Sequence, residues 1–108
     1  MPKIIYKKDG KIGRIILNRP EVLNAIDQDT PKLLSDCVHE ANSDDTIHVI
    51  ILSGSGNVFC SGYDLKAFAE GTTKFSQEMP WDPMKDYQLM MENTNHFMSL
   101  WRSSRPVI

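Results

Sequence analysis

The residues with the most chemistry per position are Phe59-Cys60-Ser61-Gly62-Tyr63-Asp64-Leu65-Lys66. Gly62 lets the backbone turn and come close to a ligand, and N–H groups at the start of a following helix can point at an oxygen that gains negative charge. That arrangement is half of an oxyanion hole. A plain turn into a helix uses the same residue types, and the segment alone leaves both readings open. Just upstream, Gly54-Ser55-Gly56-Asn57-Val58-Phe59 starts like a dinucleotide fingerprint, but Phe59 stands where the third glycine belongs and no long helix opens there. Cys60 is a nucleophile by type, yet no histidine is spaced to activate it. His39, His48 and His96 fall on separate elements with neither base–nucleophile nor metal-ligand spacing, so packing or surface roles suit them better.

The elements around this stretch read as α/β. Ile4 to Lys8 and Lys11 to Leu17 are rich in β-branched residues and flank Asp9-Gly10, which predicts a β-hairpin. Asn18-Arg19-Pro20 ends the second strand and starts a loop to about Ile26. Leu34, Cys37, Val38 and Ala41 mark one buried stripe of a helix that begins between residues 27 and 31, capped by Thr30 ahead of Pro31 or by Asp27 ahead of Gln28. The apolar run Ile47 to Leu52 then predicts a buried parallel strand, reached by a right-handed crossover. The loop from Ser53 to Asn57 leaves its carboxyl end, the edge where α/β sheets bind ligands. A short helix over Asp64 to Ala69 and a polar loop over Glu70 to Pro80 follow. Asp82 and Pro83 open a helix to about Ser103 with Met84, Tyr87, Met91, Thr94, Met98 and Trp101 at helical spacing. Pro106-Val107-Ile108 begins one more strand.

The 108 residues fit one small domain or a piece of a larger one. Hydrophobic residues make up 41% and charged residues 24%, so a packed core is expected rather than disorder. Twelve Lys and Arg against 14 Asp and Glu give a net charge of -2, which argues against a nucleic-acid partner. Two cysteines without a CxxC pair predict reduced thiols and neither a disulfide framework nor a zinc site. No apolar leader and no run of about 18 apolar residues is present, so the expectation is no membrane partner and a cytoplasmic setting.

Two spaced motifs carry a more specific reading. Asn18-Arg19-Pro20-Glu21-Val22-Leu23-Asn24-Ala25-Ile26-Asp27 after the hairpin, then Gly56-x-x-Phe59-Cys60-Ser61-Gly62-x-Asp64-Leu65-Lys66, together resemble the enoyl-CoA hydratase/isomerase, or crotonase, family. The order of elements over nearly the whole chain matches as well. The resemblance implies a crotonase-like (ClpP/crotonase) fold of repeated ββα units, of which residues 1–108 are the N-terminal part. It implies that the Tyr63 backbone N–H is an oxyanion donor to a thioester carbonyl, and that Ser61, Gly62, Asp64 and Leu65 line the path of coenzyme A. Leu23 and Ala25 border the same path. Coenzyme A arrives with the substrate, so no resident cofactor and no metal are implied.

Three departures shape the expectation. Tyr63 is bulkier than the small residue common at that place in the family, although a backbone donor needs no particular side chain. Glu21-Val22-Leu23 supplies no base beside the Asn-Arg-Pro turn, which leaves coenzyme A phosphates to Lys66 or to parts outside this sequence. An ordinary solvated lysine remains the other reading of Lys66. The family's second oxyanion donor and acid/base glutamates lie beyond the strand that Pro106 begins, so the 108 residues by themselves are expected to be inactive. The resemblance implies hydration of trans-2-enoyl-CoA in the complete protein, with double-bond isomerisation second, and assembly as a homotrimer or dimer of trimers. A non-catalytic acyl-CoA-binding or oligomerisation module is the rival of a different class. Met84, Met90, Met91, Phe97, Met98 and Trp101 suit core packing or subunit contact, or the wall of an acyl tunnel.

Overall fold

The β-branched runs on either side of Asp9-Gly10 form the expected hairpin. In the computed structural model, which describes residues 2–66, 80 and 82–108, β1 (Ile4–Asp9) pairs antiparallel with β2 (Ile12–Leu17), Ile4 opposite Leu17 and Asp9 opposite Ile12. Gly10 takes the turn at φ +60°, and Lys11 completes it. Alternation along β2 buries Gly13, Ile15 and Leu17 on one face. A 3-10 turn over Pro20–Val22 leads to α1 (Thr30–Ser43), and β3 (Val49–Gly54) returns parallel to β2 in the order β1-β2-β3.

The core lies between the sheet and α1. Ile4, Ile15, Leu17 and Ile50 from the strands meet Leu34, Val38 and Ala41 from α1, with Ile47 filling the gap ahead of β3. β3 starts two residues later than the apolar run suggests, because Ile47 sits in a turn, its N–H bonded to the Asp44 carbonyl, while its side chain is fully buried. β3 then runs on to Gly54, which pairs with Leu17.

The second long helix, α2 (Pro83–Met98), starts as its sequence predicts: the Asp82 carboxylate accepts from the Met84 N–H at 2.9 Å. It stops at Met98 rather than Ser103. The Asn42 Oδ1 at the end of α1 accepts from the Ser103 and Ser104 hydroxyls and from the Ser104 N–H, which turns the chain back toward the sheet. There Pro106–Ile108 begins a strand as expected, Val107 bridging in parallel to Ile50.

Core packing for the whole α2 stripe is not what this chain shows. Met84 and Tyr87 are more than half exposed and Trp101 is 82% exposed, while Phe97 and Leu100 pack against the core. Helical periodicity reports that one face is apolar, not what covers it. The expected short helix leaves the described residues after Lys66, and the polar loop expected over 70–80 lies outside them except for Pro80. Among the described residues no helix is long and apolar enough to cross a membrane, and Cys37 and Cys60 are both free.

Candidate active site

The site is built on the turn that Asn18-Arg19-Pro20 forces at the end of β2. After the 3-10 turn, Leu23 and Asn24 both take left-handed torsions, φ 56° and 57°, and asparagine is among the few residues that tolerate this. Asn24 is 2% exposed, and its amide is fully used. Its Oδ1 accepts from the Arg19 N–H at 2.9 Å, and its Nδ2 donates to the carbonyls of Ser55 at 2.9 Å and Val58 at 2.7 Å. This clasp draws the loop after β3 onto the turn. Gly54 is required for space: a Cβ there meets the Phe59 carbonyl oxygen at 2.5 Å and Asn24 Nδ2 at 2.7 Å.

Once clasped, the two motif segments pair side by side. The Ser61 N–H donates to the Leu23 carbonyl at 3.1 Å, the Ile26 N–H to the Gly62 carbonyl at 2.8 Å, and the Asp64 N–H to the Ile26 carbonyl at 2.8 Å. Ile26 and Tyr63 therefore form a parallel bridge. Gly62 stands at φ +102° with nothing within 4 Å of where a Cβ would be, so the position needs glycine for its torsion and not for room. In a trans peptide the C=O and N–H point in opposite directions. With the Gly62 carbonyl directed at Ile26, the Tyr63 N–H is directed away from the Leu23–Ile26 segment.

Arg19 is the electrostatic centre of the pairing. Its Nη1 donates to the Ala25 carbonyl at 2.7 Å, its Nη2 to Asp64 Oδ2 at 3.1 Å, and its Nε lies 3.9 Å from Asp27 Oδ2. Lys3 Nζ reaches Asp27 and Asp29, each at 2.6 Å. Burial pushes the Asp27 carboxyl up, but hydrogen bonds from Lys3, Thr30 and the Asp29 N–H outweigh it and hold the pKa below its ordinary value. The same bonds to Asp27 and Asp29 raise Lys3. A hollow of about 340 Å³ opens here, lined by Lys3, Asn18, Arg19, Pro20 and Glu21. Both of its cations are already paired with carboxylates, so it offers little charge to a phosphate.

The structure thus brings Leu23, Ala25, Ser61, Gly62, Tyr63 and Asp64 together in one paired segment, with Ala25 buried and Leu23 half exposed. Leu65, 78% exposed, and Lys66 follow directly on the surface, and Val58 and Phe59 earlier in the loop are exposed as well. The joining of the two segments by Arg19, Asn24 and Gly54 is not predicted by the sequence reading. The signal for two of them was present, since Arg19 and Asn24 belong to the motif, but the partners through which they join the second segment lie 31 to 45 residues away. Among the described residues no group of three His, Cys, Asp or Glu side chains is placed to hold a metal ion.

Comparison with known proteins places this geometry. The chain is 36% identical over 88 residues to the probable enoyl-CoA hydratase 1, peroxisomal, of Arabidopsis thaliana, a match covering 82% of this chain and 32% of that protein. It is 41% identical over 65 residues to the 1,2-epoxyphenylacetyl-CoA isomerase of Escherichia coli, covering 60% of this chain and 25% of that one. The chain therefore matches between a quarter and a third of the length of these two relatives. The crystal structure of enoyl-CoA hydratase from Mycobacterium smegmatis superposes with a TM-score of 0.83 at 37% identity, covering 99% of this chain and 39% of that one. The architecture is thus part of the crotonase fold. Residues 7–98 match the family described as enoyl-CoA hydratase/isomerase, and the chain belongs to that family.

Proposed function

We propose that the complete protein hydrates trans-2-enoyl-CoA thioesters, and that this chain supplies one of two oxyanion donors through the Tyr63 backbone N–H. The observation that carries the reading is the bond from the Ile26 N–H to the Gly62 carbonyl, which fixes the direction of the Tyr63 peptide. Water adds its oxygen to Cβ and a proton to Cα, with a glutamate outside these 108 residues as the base. The intermediate charge falls on the thioester oxygen, where a fixed N–H dipole stabilises it without having to reorient. Ser61, Gly62, Asp64 and Leu65 line the path of the amide-rich pantetheine and Leu23 and Ala25 border it, their own N–H and C=O groups being bonded within the protein, and exposed Lys66 is the base nearest this segment in sequence for the phosphates. Coenzyme A enters as part of the substrate, and assembly is as a homotrimer or dimer of trimers.

Double-bond isomerisation is the second reading, supported by the description of the matching family as enoyl-CoA hydratase/isomerase. Both reactions pass through the same thioester enolate and differ in the carboxylates that move protons. The test is the absorbance of the conjugated thioester when the complete protein meets trans-2-butenoyl-CoA. Its decay with formation of the 3-hydroxyacyl product supports hydration. Migration of the double bond in a 3-enoyl substrate without hydration supports the isomerase, and neither activity removes both readings.

A further inference from the structure

Arg19 sits at the head of a line of peptides that ends at the proposed donor. Its guanidinium Nη1 bonds the Ala25 carbonyl at 2.7 Å. That carbonyl shares a peptide with the Ile26 N–H, which bonds the Gly62 carbonyl at 2.8 Å. The Gly62 carbonyl in turn shares a peptide with the Tyr63 N–H. Each trans peptide accepts at one end and donates at the other, so the three groups point the same way. Hydrogen bonds in such a row polarise one another, and a charged head strengthens the first of them.

We propose that Arg19 is a positioning residue that holds and polarises this two-peptide relay, so that the Tyr63 N–H meets the substrate oxygen as a stronger and better-aimed donor. The inference rests on the role proposed above for Tyr63. Asp64 serves the relay by accepting from Nη2 at 3.1 Å, which keeps Nη1 on the Ala25 carbonyl. Among the described residues the carboxylates that face the guanidinium, Asp64 and Asp27, come from the segments being joined. Arginine is suited to this because its planar fork serves a carbonyl and a carboxylate at once, whereas a lysine presents a single point charge.

The experiment uses the complete protein and butanoyl-CoA carrying carbon-13 at the thioester carbonyl, which lacks the double bond and is not hydrated. In the wild type the carbonyl stretch of the bound thioester falls below its value in solution. Arg19→Gln returns it toward the solution value and lowers kcat for trans-2-butenoyl-CoA about tenfold, a part of the roughly 10²–10³ that a whole donor supplies. KM stays within about threefold, because the interaction strengthens in the transition state. Arg19→Lys keeps a cation, recovers part of the shift, and decides the matter by the same comparison if the glutamine variant does not fold. An unchanged stretch and kcat in the variants overturns the relay. A wild type that binds butanoyl-CoA with no shift from solution overturns instead the donor role of Tyr63 on which the relay rests.

Discussion

Gly54 at the end of β3 and Gly62 in the loop beyond it answer to different physical demands. Gly54 has no room for a Cβ, whereas Gly62 has room and an unfavourable torsion, φ +102°. Gly62→Ala is therefore expected to fold and to strain the backbone locally, at about 1–3 kcal/mol. That strain falls on the peptide that carries the Tyr63 N–H. The expected outcome is a loss of turnover of at least about tenfold, checked by kcat for trans-2-butenoyl-CoA beside an unchanged circular dichroism spectrum. At this scale the sequence was legible where a residue type names its own job: a glycine where the backbone turns, an asparagine and a proline at a turn. It was not legible where the job depends on a distant partner, as for Asn24 with Ser55 and Val58, or Arg19 with Asp64.

The start of α1 shows how an element is fixed by a residue outside it. Two local caps were open from the sequence, Thr30 and Asp27. In the structure neither is the N-cap: Asp29 holds that position without a side-chain cap bond and Thr30 is the first helical residue, while the Asp27 Oδ1, two residues before the N-cap, accepts from the N–H groups of Asp29 and Thr30 and from the Thr30 hydroxyl. Removing it with Asp27→Ala should cost about 1–2 kcal/mol at neutral pH, read from urea denaturation of the complete protein. Folding lowers the pKa of this carboxyl below 3.8, so the native state binds fewer protons than the unfolded one. The contribution is complete above the unfolded value and is lost as pH falls through the folded value. The gap between wild type and Asp27→Ala should therefore narrow on acidification below about pH 4, and a gap independent of pH would contradict this role of the charged carboxylate. The hairpin, α1 and β3 were legible as elements because period and turn residues are local. The end of α2 was not, because Asn42 reaches it from 61 and 62 residues away.

At the scale of the whole chain, the described elements leave much apolar surface uncovered. The radius of gyration is 15.2 Å, against about 13 Å for a compact domain of this length. Met84, Tyr87, Met90, Met91, Trp101 and Ile108 are all exposed, and among the described residues β3 is met on its far side only by the short stretch Pro106–Ile108. The isolated 108-residue chain should therefore bind an apolar dye and unfold without a sharp transition, measured by dye fluorescence and calorimetry. A cooperative transition from a monomer that leaves the dye dark would contradict this. The resemblance drawn from two motifs reached the family and its fold, since those motifs carry the turn and loop that the clasp joins. The most direct test of the central claim replaces Tyr63 in the complete protein by its α-hydroxy acid, turning one amide into an ester and deleting only the N–H. The account predicts that kcat for trans-2-butenoyl-CoA falls by roughly 10²–10³ while KM changes little. Turnover within a few-fold of the wild type would contradict it.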